Sequence, residues 1–110
     1  MFELPEELGQ LNGYTFGPRE YTLSHSLLTL HAVSPKNASI KFSVFFDDVH
    51  YIQMPASWKG SFEIGSDLER EELARKCKFS LQDNVQLYKS NDNLVLILGR
   101  FAGIKPRDRL

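Results

Sequence analysis

The chain has 110 residues, of which 42% are hydrophobic and 25% charged, a composition that fits one globular domain spanning residues 1–110 and excludes a disordered chain. Thirteen basic side chains face fourteen acidic ones, and the formal charge of −1 argues against a dedicated nucleic-acid surface. A lone cysteine, an acidic N-terminus (MFELPEEL) without a basic leader, and no apolar run of membrane-spanning length together point to a cytoplasmic protein.

Taken in chain order, Leu4, Leu8 and Leu11 recur at helical spacing, with Pro5 in the first turn and Asn12-Gly13 as a stop. This predicts a short N-terminal helix, weakened by Gly9. Residues 15–20, TFGPRE, read as a turn. Residues 21–33 read as one long strand whose second half is covered on both faces, because Leu28, Leu30 and Ala32 interrupt the simple alternation. Ser34-Pro35-Lys36-Asn37 is a turn, and Ile40, Phe42, Val44 and Phe46 alternate beyond it, which predicts a β-hairpin. Phe45-Phe46-Asp47-Asp48 breaks the alternation, so the strand must bulge, bend or end there. Extended chain resumes over 49–54 until Pro55 stops it.

Further along, Trp58, Phe62 and Ile64 fall on one side of a half-buried strand and Lys59, Ser61 and Glu63 on the other. Ser66 and Glu69 have the spacing of a capping box, opening a helix over 66–77 with Leu73, Ala74 and Cys77 on one face. Residues 85–89 and 94–98 flank Ser90-Asn91-Asp92-Asn93 as a second hairpin. A basic C-terminal tail is expected from about residue 103, with Lys105, Arg107 and Arg109 outnumbering Asp108.

These elements predict an α+β fold: a mainly antiparallel, curled β-sheet of about five or six strands, the principal helix (66–77) packed on one face, and the short N-terminal helix. The apolar run at 94–98 requires cover on both faces, from a sheet that curls over its own core as in a partial barrel, or from another subunit. A homodimer is the preferred expectation.

The sequence holds no GxGxxG, P-loop, HExxH, nucleophile elbow or CxxC, so no cofactor and no catalytic set is expected. If the first hairpin closes around Pro35-Lys36, Tyr21 faces His50, Leu23 faces Asp48, His25 faces Phe46 and His31 faces Ile40. Tyr21, His25, Asp48 and His50 would then share one face at the open end of the hairpin. Imidazole and carboxylate side by side suit a small ligand, a divalent metal or acid–base duty. A bulge at Asp47-Asp48 would send Asp48 and His50 to the other face. His31 reads as a half-buried histidine satisfied by a backbone or hydroxyl partner, and Cys77 as a small buried hydrophobe. Tyr51, Met54 and Trp58, around a Pro and Gly loop, form the candidate interaction surface, with core packing as the simplest role for Trp58. The sequence thus points to a non-catalytic protein-interaction module, its partner another protein or a second copy. The alternative is a small-molecule or metal-binding protein, an enzyme included, using the hairpin mouth. A membrane partner is not expected, and nucleic acid at the tail is the weakest reading.

Overall fold

The computed structural model describes residues 3–107. A short helix α1 (Glu6–Gly9) precedes strands β1 (Tyr14–Thr22), β2 (Leu27–Val33), β3 (Lys41–Gln53), β4 (Trp58–Gly60) and β5 (Glu63–Ile64). Helix α2 (Asp67–Lys76) then leads into β6 (Gln86–Ser90) and β7 (Val95–Pro106). One seven-stranded sheet, rather than five or six strands, runs in the order β4-β1-β2-β3-β7-β6-β5, with every paired neighbour antiparallel.

The two ends of that order, β4 and β5, are separated in sequence only by Ser61 and Phe62, so the sheet must curl until its edges meet. Side chains of the β6–β7 turn close the seam. Ser90 Oγ donates to the Ser61 carbonyl at 2.8 Å and Asn91 Nδ2 to the Lys59 carbonyl at 3.1 Å. Inside the curl lie Phe16, Leu28, Leu30, Ala32, Val44, Phe46, Trp58, Phe62, Tyr88, Val95 and Ile97, with Leu8 and Leu11 of the α1 region joining the same cluster.

A second cluster sits on the outer face of β6 and β7, where Ala74 and Leu73 of α2 pack on Val85, Leu87, Leu96 and Leu98. The apolar run at 94–98 is therefore covered twice within one chain: Val95 and Ile97 face the curled core and Leu96 and Leu98 face α2. That cover removes the reason for invoking a second subunit.

Helix α2 forms where its local signals place it. Ser66 Oγ accepts from the Glu69 amide at 3.1 Å, and Glu69 Oε1 accepts from the Ser66 amide at 2.9 Å. Lys89 of β6 reaches Glu69 at 2.8 Å, and Arg70 Nε donates to the Val85 carbonyl at 2.7 Å, tying the helix to the sheet. Ser66→Ala is expected to lower stability by about 1 kcal/mol, read as a lower urea midpoint at unchanged m-value.

Four expectations are corrected. Residues 15–20 belong to β1 instead of a turn. β4 covers β1 only from Tyr14 to Phe16, so Pro18 lies at an edge with no ladder hydrogen bond to lose, and the register shifts between Pro18 and Glu20. Residues 21–33 are not one strand: a 3-10 turn (Leu23–His25) and Ser26 in the left-handed region (φ 48°) fold β1 back onto β2. Residues 58–64 divide into β4 and β5 on opposite edges. Residues 103–106 are strand, not tail, with Ile104 and Lys105 paired to Val44 and Ser43. Asp108 and Arg109 lie outside the described residues.

Candidate functional site

The geometry depends first on the β2–β3 register. Leu28 faces Phe46, Leu30 faces Val44 and Val33 faces Lys41, three positions away from pairing around Pro35-Lys36. Local side chains hold the wider loop: Ser34 Oγ accepts from the Lys36 amide at 3.2 Å, Asn37 Oδ1 from the Ser39 amide at 2.9 Å, and the Ser34 amide donates to the Ile40 carbonyl at 3.0 Å.

The hairpin mouth therefore differs from its expected form. Tyr21 pairs with Leu28 instead of His50, and His25 sits in the turn between β1 and β2 instead of facing Phe46. Asp48 and His50 do meet, with His50 Nε2 3.0 Å from Asp48 Oδ1 and the His50 ring stacked on Phe79 at 3.6 Å between centroids. Their meeting follows from a bulge: Asp47 pairs with Arg100 and Tyr51 with Leu98, leaving Asp48, Val49 and His50 opposite Gly99 alone. Asp48 adopts φ 48°, and Arg100 grips Asp47 through Nε at 2.6 Å and Nη2 at 3.0 Å. Among the described residues no three His, Cys, Asp or Glu side chains converge as a metal site.

The interaction loop is also revised. Trp58 is 5% exposed and stacks on Phe16 at 5.6 Å, so it cannot act as a surface anchor. Met54 is half-buried against the curled core, and Tyr51 is half-buried against the α2 cluster with its hydroxyl donating to Gln53 at 3.1 Å. The edge of β1 beyond Phe16 is blunted against strand addition by Pro18, a bulge, Arg19 and Glu20.

A different cluster lies on the outer face of β1, β2, β3 and β7. Leu30, Ala32 and Val44 face the core, so their neighbours His31 and Ser43 face outward. One row crosses four strands as Gly17, His31, Ser43 and Lys105. Arg19 Nη1 donates to Ser43 Oγ at 3.2 Å, and the Arg107 amide bonds to the Lys41 carbonyl, bringing both further cations to the next row. Arg19, Lys41, Lys105 and Arg107 have no carboxylate in ion-pair range among the described residues.

His31 sits over Gly17, where an added Cβ would lie 2.5 Å from its Nε2 and 2.8 Å from the Ala56 carbonyl. Only glycine leaves room for the ring. Burial, and then the charges of Arg107, Arg19 and Lys41, hold the His31 imidazole below its ordinary value. The folded chain thus binds fewer protons here than the unfolded chain just below pH 6.5. This contribution to stability is fully present above that pH and is lost as pH falls through the window down to the folded value. His31→Gln is expected to remove that component, seen as a smaller drop in urea midpoint between pH 7.5 and pH 5.

A tight turn at Pro35-Lys36 would pair His31 with Ile40, and composition alone puts Lys105 and Arg107 in a tail. The row becomes visible only once β7 is seen to pair with β3. Comparisons of this chain with protein-family models, with curated proteins and with solved structures find no match. No helix among the described residues is long and apolar enough to cross a membrane.

Proposed function

We propose that the protein is a non-catalytic binding module that receives a protein partner on the outer face of β1, β2, β3 and β7. One observation carries this reading: four cations without ion-pair partners among the described residues, Arg19, Lys41, Lys105 and Arg107, gather on a sheet face that neither helix covers. The outer face of β6 and β7, by contrast, is occupied by α2. Unpaired charge on a rigid sheet costs little in water and steers an oppositely charged partner.

The test is capture of the tagged protein's partner from lysate of its own source, comparing the parent with Lys105→Glu/Arg107→Glu and with Tyr51→Ala. The expected result is a near-stoichiometric partner that is lost on charge reversal, kept in Tyr51→Ala, and weakened by salt, with all three proteins melting alike. A partner retained by the charge-reversed variant and lost by Tyr51→Ala would move the docking site to the 51–58 loop.

The ligand reading at the hairpin mouth keeps one supporting contact, that between Asp48 and His50. Addition of zinc is the corresponding check, since a metal held by Asp48 and His50 would shift the imidazole signals of His50.

A further inference from the structure

Resting on that reading of the face, we infer that the partner presents an extended acidic segment, one of whose carboxylates is seated among Arg19, His31, Ser43 and Lys105, and that docking there places a proton on His31.

The spacing supports an extended ligand. Neighbouring strands lie about 4.8 Å apart and alternate residues of one strand about 6.8 Å apart. Cations at Lys41 and Arg107 occupy one row, with Lys105 in the next and Arg19 reaching Ser43 from the far side. Same-side carboxylates of an extended segment laid along the strands recur at the same interval of about 6.8 Å. Ser43 is buried, and its hydroxyl, already an acceptor from Arg19, keeps its own proton to donate.

A polynucleotide fits less well. Among the described residues Phe45, half-buried in the following row, is the one aromatic ring besides His31 that the register puts on this part of the face, so successive bases would find few stacking platforms there. The chain is also net negative, with Glu6 and Glu7 on α1, an element in contact with β7. A long polyanion would meet that charge, whereas a short acidic segment confined to two or three rows would not.

The proton follows from the charges that face His31. On β1 these are Arg19 and, one row on, Glu20; on β3, Lys41; on β7, Lys105, with Arg107 just past its end; from the loop after β3 comes the Ala56 carbonyl beside Gly17. The cations outnumber Glu20, so an imidazolium here is disfavoured until an anion arrives. A carboxylate reverses that balance, and by linkage a lower pH tightens its binding.

A hexaglutamate peptide is the probe. The imidazole signals of the three histidines are followed by NMR at low salt and pH 6, with calorimetry in two buffers of different ionisation enthalpy to count protons. The expected result is that His31 signals move while those of His25 and His50 stay still, the His31 midpoint rises, and about 0.5 M salt abolishes the effect. His31→Gln should keep binding but lose the proton uptake. Unmoved His31 signals, or binding without proton uptake, would overturn the seat. A single-stranded oligonucleotide of equal charge binding the same face tenfold tighter than the peptide would overturn the acidic segment. If the captured partner is still lost on Lys105→Glu/Arg107→Glu while His31 ignores hexaglutamate, the face stands and the seat falls. If charge reversal leaves the partner bound, the face itself is wrong.

Discussion

Trp58→Ala is expected to destabilise the protein by about 3–5 kcal/mol, a large share of the roughly 5–15 kcal/mol that holds a domain together. The indole is 5% exposed, stacked on Phe16 and edge-on to Phe62 at 6.2 Å. Phe62 in turn packs against Phe16 and Phe46, so removing the indole opens a void in a continuous aromatic cluster. Its place at the start of β4 matters as well, because Trp58 pairs with Phe16 where the sheet curls closed. Trp58→Phe should behave differently. The indole Nε1 is buried with no hydrogen-bond acceptor among the described residues, so exchanging it for carbon breaks no bond. That variant is expected within about 1.5 kcal/mol of the parent. Trp58 is the chain's only tryptophan, so unfolding is best followed by circular dichroism instead of fluorescence. The expected fall in Tm for Trp58→Ala is more than about 10 °C. A melt within 2 °C of the parent would show that the side chain is not core and return it to the recognition surface.

What was legible in the sequence was local. The capping box at Ser66 and Glu69, the leucines of the first helix and the polar turn at Ser90-Asn91-Asp92-Asn93 act within a few residues, and each formed its element. What was not legible depended on partners far away in the chain. Pro18 reads as a turn signal until the sheet edge beside it is known, and Gly103 and Pro106 are strand-breaking residue types that sit in β7 because β3 pairs with them. The cationic row combines both problems. His31 needed a register three positions from the one a tight Pro35-Lys36 turn gives, and Lys105 needed a strand where the composition suggested a tail. The turn at 24–26 carried little signal, because Ser26 takes a left-handed backbone (φ 48°) where Gly or Asn would be the usual marker.

Gly99→Val is expected to cost about 2–3 kcal/mol and to disturb the Asp48–His50 contact, although position 99 touches neither side chain directly. An added Cβ at Gly99 would lie 3.0 Å from Val49 Cγ2, 3.1 Å from Val49 Cα and 3.2 Å from the Asp47 carbonyl. Two of these are backbone atoms of the bulge and cannot swing aside as a side-chain end would. The bulge must therefore move outward, or β7 must part from β3. Either change loosens the grip of Arg100 on Asp47 and the left-handed turn at Asp48 that points its carboxylate at His50. Gly99→Ala should give a weaker form of the same effect, and Gly9→Ala serves as the control. Gly9 has only Leu4 Cδ2 nearby, at 3.7 Å, and does not need a left-handed backbone, so a neutral or slightly stabilising change is expected there. The readouts are urea midpoints for the three variants and the imidazole signals of His50 by NMR. If Gly99→Val matches the parent in both, the bulge is held by its own ion pair and by the Val49 amide on the Ser26 carbonyl, not by the close approach of β7.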